Sequence, residues 1–347
     1  MPHRSESERI AALDAALEAL CGAFGPSGHE FQGVAERIAE MVRPLVDELR
    51  FDALGNLICI RRGAPGAKRV MLSAHMDQCG LMVTEITDGG FLRVAPLGGL
   101  KPSLLFYRQA VFANGVRGII SHESAVKENE AELKHLYVDI GASDGKEAGE
   151  LVSVADVCTY APFAVRLHGG LFSAPAADDR AGCAVLIEAL RELESPACEL
   201  AAVFSVQEEL GLRGATVSAY GLRPDLAVAL DVCPTGDTPN AQPLGIKLGS
   251  GPALKVMDAH SVSHVGLRGL MQSKASELGI PVQLEILPYG GTDAAAMQRS
   301  RAGIPAATLS IPSRYVHSAV ETVSLHDAEK AVRLLAALLE DPAAGGL

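Results

Sequence analysis

The hydrophobic pattern of the chain alternates between continuous apolar runs of strand length and helical stretches with one apolar face. The run from Leu200 to Val206 ends beside two adjacent carboxylates, Glu208 and Glu209, and Gly211 closes the segment. A continuous apolar run of this length is typical of a buried strand. Because neighbouring side chains of an extended segment point in opposite directions, we expect Glu208 and Glu209 to have different roles.

Other segments repeat this pattern or supply a charged residue beside it. Strands are predicted over Arg69–Ser73, Leu226–Leu230 and Ala306–Ile311, and a helix is predicted from Ala181 to Leu193, after Asp178. The candidate metal ligands at the strand ends and in the loops after them are His75, Asp178, Glu209, Asp231 and His317. Because an isolated buried carboxylate costs several kcal/mol, convergence of these residues at one edge of a sheet implies a bound cation.

The types of donor favour particular metals. Two imidazoles and three carboxylates suit zinc, cobalt or manganese better than calcium. Five side chains are too many for one tetrahedral catalytic zinc ion with an open position, but they suffice for two metal ions if one carboxylate bridges them. Asp77 shares a face of its extended segment with His75, so it can accept a hydrogen bond from the ring nitrogen that does not bind metal.

The remaining pattern predicts a mixed α/β domain. Apolar positions with helical spacing predict a helix over Glu8–Phe24, and Ser27 with Glu30 forms a capping box for a second helix through Val42. A β-hairpin is predicted between Val46 and Arg61. Alternating strands and helices, with acidic residues at the strand ends, indicate three layers around a mixed sheet with ligands at the carboxyl ends of the strands.

Residues 80–167 differ in texture from the rest of the chain. Short strand-like pieces, separated by Gly, Pro and charged turns, cover 81–86, 91–94, 110–112, 116–121 and 136–140. This pattern predicts a small β-rich domain inserted into a larger one. The predicted organisation is therefore a first catalytic segment over 1–79, the insert over 80–167 and a second catalytic segment over 168–347.

Composition limits the classes of partner. The chain of 347 residues has 30 basic and 42 acidic side chains, a net charge of -12, and no basic stripe, which excludes nucleic acid as an expected partner. No stretch approaches the about 20 apolar residues that span a bilayer, and the N-terminal segment has no secretory core. The seven cysteines are scattered and never paired as C-x-x-C, which favours a reducing cytoplasm over a disulfide framework.

Six motifs in order carry a family resemblance. They are HMDQCGLMV (75–83), DDRAGCAVLIE (178–188), VQEELGLRGA (206–215), DV followed by GDTP (231–232 and 236–239), GGTDA (290–294) and RYVHS (314–318). Together they resemble the co-catalytic metallo-aminopeptidases that include glutamyl aminopeptidase, the tetrahedral TET aminopeptidases and proteins labelled cellulase M. The resemblance implies a three-layer zinc-peptidase domain with an inserted small β-barrel-like, PDZ-like domain that serves oligomerisation.

The same resemblance assigns the metal ligands. It implies two divalent metal ions per subunit, zinc in the first place, with cobalt or manganese as alternatives. His75 and Asp231 would hold one ion, and Glu209 and His317 the other. Asp178 would bridge the two.

Two catalytic roles follow from the resemblance. Asp77 would orient His75, while Glu208 would accept the proton of a bridging water that the two metals activate, and return it to the leaving amine. The expected reaction is hydrolysis of the N-terminal residue from short peptides. The resemblance also implies a strained peptide bond between Asp178 and Asp179, in the cis form.

Two other functions stay open at the level of sequence. One is another co-catalytic zinc amidohydrolase, such as a deacylase or a carboxypeptidase, and the other is a non-catalytic, metal-stabilised, peptide-binding scaffold. Glu208 beside Glu209 argues against the scaffold, which needs no base next to a ligand. The expected partners are short peptides and further copies of the chain, in homo-oligomers of the tetrahedral twelve-subunit kind formed by relatives, with no nucleic acid and no membrane.

Some cysteines and histidines near or outside the motifs have no assigned role. Gln78 and Cys79 stand where many relatives carry an acid and an aliphatic residue, and Cys183 and Cys233 also lie near motif positions. Small buried thiols are the expected interpretation, with an added metal ligand or a redox switch as the alternative. We expect surface or ordinary core positions for His122, His135, His168, His260, His264 and His326.

Overall fold

The computed structural model describes residues 4–193 and 196–341, in which the strands form one large sheet and one closed barrel. The strands are β1 (Glu48–Phe51), β2 (Leu57–Arg61), β3 (Arg69–His75), β4 (Gly80–Ile86), β5 (Leu92–Leu97), β6 (Gln109–Phe112), β7 (Arg117–His122), β8 (Leu136–Asp139), β9 (Val157–Tyr160), β10 (Val165–Leu167), β11 (Leu171–Ala174), β12 (Glu199–Ser205), β13 (Leu226–Pro234), β14 (Ala253–Met257), β15 (Gln283–Ile286), β16 (Ala306–Arg314) and β17 (Glu321–Ser324). The helices are α1 (Glu6–Cys21), α2 (Val34–Val42), α3 (Pro102–Leu105), α4 (Gly145–Leu151), α5 (Ala177–Glu192), α6 (Arg213–Leu222), α7 (Val265–Glu277), α8 (Asp293–Gln298) and α9 (Leu325–Glu340).

The large sheet is mixed, with a parallel centre. Its strand order is β1-β2-β12-β3-β13-β16-β17-β11-β10, and β14 and β15 extend it from β16. β3 lies parallel between β12 and β13, and β13 is parallel to β16. These four strands are buried along almost their whole length, which explains why their sequences are continuous apolar runs. Their carboxyl ends therefore meet at one edge of the sheet.

Helices cover both faces of this sheet. α1, α5 and α9 pack together on one face, over a main core that includes Phe172, Phe204 and Leu335. α6 and α8 cover the other face, over a smaller core that includes Met71 and Met297. The predicted three-layer mixed α/β fold is confirmed. Within the described residues, no helix combines the length and the apolar character needed to cross a bilayer.

A second sheet closes on itself between Gly80 and Tyr160. Its strands follow the order β4-β5-β8-β7-β6-β9 and enclose a separate core. The predicted β-barrel-like insert is confirmed, although the sequence pattern missed β9, which is buried on both sides and has no polar alternation. The domain boundaries at 79/80 and 167/168 stay a prediction.

The capping box predicted at Ser27 and Glu30 is wrong. α2 begins only at Val34, without a side-chain cap. The hydroxyl of Ser27 donates to Asp77 at 2.5 Å, and the carboxylate of Glu30 accepts from the amide of Gln207 at 3.0 Å. A serine followed by a glutamate three residues later suits a helix start, but here both side chains bond to distant parts of the chain.

We expect Leu335→Ala to lower the free energy of unfolding by about 2–5 kcal/mol, because truncation leaves a cavity in the main core. Leu151→Ala is the matched control, since Leu151 at the end of α4 is 42% exposed and loses little buried area. Denaturant unfolding followed by far-ultraviolet circular dichroism measures both variants. Equal losses in the two variants would contradict the packing of α9 described above.

Candidate active site

The candidate ligands converge at the carboxyl edge of the parallel strands. His75 ends β3, Asp231 lies in β13, Glu209 follows β12, His317 follows β16, and Asp178 lies in the first turn of α5. Two groups have donor atoms within 4.8 Å of one another: His75 with Asp178 and Asp231, and Cys79 with Glu209 and His317. The structure therefore brings all five predicted ligands together and adds a cysteine.

Asp178 lies between the two imidazoles. Its Oδ1 is 3.1 Å from Nε2 of His75, and its Oδ2 is 3.4 Å from Nε2 of His317. Nε2 of His75 is also 3.8 Å from Asp231, and Nε2 of His317 is 3.3 Å from Glu209. Donor atoms about 2.0–2.2 Å from one tetrahedral zinc ion lie about 3.3–3.6 Å from each other. Two of the four spacings fall in this range, and the other two, 3.1 and 3.8 Å, lie just outside it, so these donors are close enough to hold metal.

Each imidazole has a second acceptor near its other ring nitrogen. Nδ1 of His75 lies 3.4 Å from Oδ1 of Asp77, and Nδ1 of His317 donates to the carbonyl oxygen of Gly99 at 2.8 Å. These contacts leave Nε2 of each ring facing the carboxylates. The spacing of His75 and Asp77 predicted the first contact. The second comes from the loop after β5 in the barrel, which no local pattern indicates.

Side chains from earlier in the chain hold the turn after β12. The amides of residues 206–209 donate, in order, to Asn56, to Glu30 and twice to Asp77, over distances of 2.9–3.3 Å. We call Asn56, Glu30 and Asp77 the amide clamp. Because four consecutive amides have side-chain acceptors, these hydrogen bonds restrain the backbone that carries the two glutamates.

Glu208 and Glu209 diverge because of this turn and not because of an extended backbone. β12 ends at Ser205, and Gln207 has a left-handed φ of 52°. Both glutamates line the cleft, but Glu209 contacts His317, whereas Glu208 is in neither group of metal donors. The expectation of two different positions holds, but the strand geometry from which we predicted it is wrong for these residues.

The carboxylates of Asp178 and Glu209 stabilise positive charge on the imidazole that they contact. Burial by itself raises the pKa of Asp178, but the contacts with His317 and His75 outweigh burial and hold its pKa below the ordinary value. Burial alone would lower the pKa of His317, yet Asp178 and Glu209 raise it to about 12. A divalent cation supplies positive charge at the same place.

Glu208 has the opposite environment. Burial raises the pKa of Glu208 well above its usual range; the charge of His75 opposes this shift, and the carboxylates of Asp231 and Glu209 add to it. A carboxyl group with a raised pKa is suited to accept a proton and to give it back.

The backbone is unusual at several positions of the site. Ala176, Gln207 and His317 have left-handed φ values of 64°, 52° and 62°. Such conformations cost of order 1–3 kcal/mol each for residues other than glycine and cluster at functional sites. The peptide bond between Asp178 and Asp179 is cis, as the family resemblance implies.

Two buried carboxylates of the site have hydrogen-bond partners that the sequence analysis did not predict. Glu321, the first residue of β17, accepts from the amides of Asp178 and His317 at 2.8 and 2.7 Å. Asp293 accepts from serine hydroxyls at the ends of β3 and β12, at 2.6 and 2.5 Å. The GGTDA motif indicated the position of Asp293 but not its partners, and Glu321 had no signal in the sequence.

The ligands lie at the base of a cleft of about 770 Å³, a size typical of small-molecule sites. Its walls include Lys101, Leu287 and the glycine-rich turn 289–292. His260, which is exposed as expected for a surface histidine, stands at this cleft, a position that the sequence did not indicate. Lys255 also lines the cleft and forms a buried ion pair with Glu285.

A cleft that ends on clustered imidazoles and carboxylates meets the needs of metal-assisted hydrolysis, and the fold and site define a metal-dependent hydrolase. Sequence comparison narrows this class. The chain belongs to the M42 glutamyl aminopeptidase family, whose profile matches residues 55–334. It is 36% identical over 329 residues to the lysyl aminopeptidase of Pyrococcus furiosus, an alignment that covers 91% of this chain and 94% of that relative.

Solved structures agree with this assignment. The aminopeptidase APDkam598 from the archaeon Desulfurococcus kamchatkensis has a TM-score of 0.92 and 35% identity, covering 96% of this chain and 95% of that one. The TET1 peptidase of Pyrococcus horikoshii, which can assemble into a tetrahedron or a large octahedral shell, has a TM-score of 0.81 and 34% identity, covering 96% and 99%. The family resemblance drawn from the six motifs is confirmed, and the chain is a peptide-bond hydrolase of the metallo-aminopeptidase type.

We expect Glu30→Ala to lower kcat by about 10- to 100-fold, because the amide of Gln207 loses its acceptor and the turn that carries Glu208 loosens. Glu30→Gln keeps a carbonyl oxygen at the same place and should retain most of the rate. Steady-state kinetics with aminoacyl substrates, together with metal analysis, test the pair. A wild-type kcat in Glu30→Ala would show that the amide clamp does not position the turn.

Proposed function

We propose that the protein is a dinuclear metal-dependent aminopeptidase that removes N-terminal residues from short peptides. The observation that carries this proposal is the Asp178 carboxylate, whose two oxygens lie 3.1 and 3.4 Å from two different imidazoles. A carboxylate shared between two sets of donors is what a pair of metal ions requires. His75 and Asp231 would hold one ion, and Glu209 and His317 the other.

The chemistry divides between the metal ions and the chain. Two divalent cations would lower the pKa of a water molecule and stabilise the charge that develops on the substrate carbonyl oxygen, and zinc suits the mixed donors, with cobalt or manganese as alternatives. Glu208 lies in the cleft outside both ligand groups, so its carboxylate can accept the proton of the water and give it to the leaving amine. Asp77 would orient His75 and hold the amides of both glutamates.

We further propose that the chain acts as a homo-oligomer in the cytoplasm. The tetrahedral assembly of the Pyrococcus horikoshii relative, and a related solved structure that is a dodecamer, support a twelve-subunit assembly. In this proposal the segment 80–167 is the oligomerisation domain, between catalytic segments 1–79 and 168–347. All seven cysteines are buried and unpaired, which supports a reducing compartment.

A substrate panel tests the reaction class. After removal of metal with a chelator, add-back of zinc, cobalt or manganese up to two ions per chain should restore hydrolysis of aminoacyl p-nitroanilides with a free α-amine. The panel includes acidic, basic and aliphatic residues, because the family is described as glutamyl and one relative as lysyl. Hydrolysis of N-acyl amino acids instead would identify a deacylase, and metal binding without hydrolysis of any substrate would identify a scaffold.

Glu208→Gln tests the proton acceptor separately from the metal site. We expect kcat to fall by about 10²–10⁴-fold while two metal ions per chain remain bound, because the amide cannot accept the proton and Glu208 is not a ligand. Glu128→Gln, an exposed glutamate in the barrel segment, should behave as the wild type. Kinetics and elemental analysis on the same preparations give both quantities. Unchanged turnover in Glu208→Gln would remove this residue from the mechanism.

A further inference from the structure

We propose that Cys79 supplies a thiolate ligand to the metal ion held by Glu209 and His317. This inference rests on the proposed dinuclear function and adds a sulfur donor to it. The Sγ of Cys79, a carboxylate oxygen of Glu209 and a ring nitrogen of His317 all lie within 4.8 Å of one another. Cys79 would then hold this ion together with Glu209 and His317, and its sulfur would add a soft donor to the oxygen and nitrogen donors.

The buried hydroxyl of Tyr160 is a second indication that a ligand binds beside Cys79. A small cavity is lined by Cys79, Glu209 and His317 together with Tyr160, the last residue of β9. The hydroxyl of Tyr160 is buried and has no hydrogen-bond partner among the described residues, and the residue as a whole is only 8% exposed. Because a buried hydroxyl without a partner costs free energy, the cavity suits a further polar group, which a molecule bound at the metal can provide.

The backbone around Cys79 limits where its sulfur can lie. Cys79 joins β3 to β4, and its carbonyl oxygen accepts from the hydroxyl of Thr159 at 3.1 Å. On the other side Gly98 approaches so closely that a Cβ at this position would be 2.6 Å from the sulfur and 3.2 Å from Cβ of Glu209. The glycine thus makes room for the thiol and the glutamate to lie side by side.

Cys183, another buried thiol close to the ligands, lacks these properties. Its S–H donates to the carbonyl oxygen of His75 at 3.2 Å, and it is in neither group of metal donors. Cys183 therefore offers a matched control for a thiol that lies near the site without binding metal.

A thiolate changes the metal preference of the site. Coordination replaces the S–H proton with the metal ion and releases that proton to solvent. Soft sulfur donors favour zinc and cobalt over manganese and magnesium, which oxygen-rich sites accommodate. Cys79 would therefore make the Glu209–His317 position more selective for zinc or cobalt than a set of oxygen and nitrogen donors alone.

Spectroscopy of the metal-loaded protein tests the ligand directly. The cobalt form of the wild type should show a near-ultraviolet thiolate-to-cobalt charge-transfer band, and X-ray absorption of the zinc form should show a sulfur at about 2.3 Å. Cys79→Ser should lose both signals and bind its more weakly held zinc ion about tenfold less tightly or worse. Cys183→Ala should keep both signals and the affinity.

The outcomes separate this inference from the proposed function. Two bound metal ions and aminopeptidase activity, without a sulfur signal in the wild type, would overturn the role of Cys79 and leave the dinuclear proposal in place. A wild type that binds no divalent metal would overturn both. Because the zinc spectrum of the wild type needs no variant, the test decides even if Cys79→Ser fails to fold.

Discussion

Several carboxylates brought together out of solvent are the constraint on which the rest of this structure depends. The fold compensates them in two ways. Asp77, Asp293 and Glu321 receive hydrogen bonds from backbone amides or serine hydroxyls, although both bonds to Asp293 go to one of its two oxygens. Asp178 and Glu209 face imidazoles instead, and these charges need a cation. The hydrogen bonds of Asp293 and Glu321 therefore come from the framework itself, whereas both oxygens of Asp178 lie beside imidazole nitrogens.

The parallel strands bring these groups together, and the barrel completes the arrangement. β3 lies at the centre with β12 and β13 beside it, so three carboxyl ends deliver their residues within a few ångströms. The barrel begins directly after Cys79 and ends at Tyr160, and both residues line the small cavity beside Glu209 and His317. The carbonyl oxygen of Gly99 in the barrel accepts a hydrogen bond from His317 and so orients its ring. An insertion that contributes these contacts is part of the site and not only an attachment to it.

The sequence correctly predicted the residues that lie at strand ends. It did not predict the side chains whose positions depend on contacts with distant parts of the chain. Residues at the ends of continuous apolar runs could be placed at one edge because parallel strands share a direction, and Asp77 could be placed beside His75 because two residues apart on a strand share a face. Glu30 was misread because the same spacing serves a helix cap, and only the folded chain shows its bond to Gln207. Glu321 lies on the antiparallel strand β17, and its place at the site depends on how β17 pairs with β11 and β16. A local sequence pattern does not predict that pairing.

Two left-handed residues of the site, Gln207 and His317, are stabilised by hydrogen bonds that define its geometry. Gln207 donates to Glu30, and His317 donates to Glu321, so each unfavourable backbone conformation has a buried or partly buried acceptor. A single hydrogen bond contributes about 0.5–1.5 kcal/mol, which offsets part of the about 1–3 kcal/mol that the conformation costs. Because conformation and acceptor depend on each other, the turn and the His317 loop are held in one arrangement before any peptide enters the cleft. Electrostatic catalysis needs this condition, since charged groups that must reorganise during the reaction lose much of their effect.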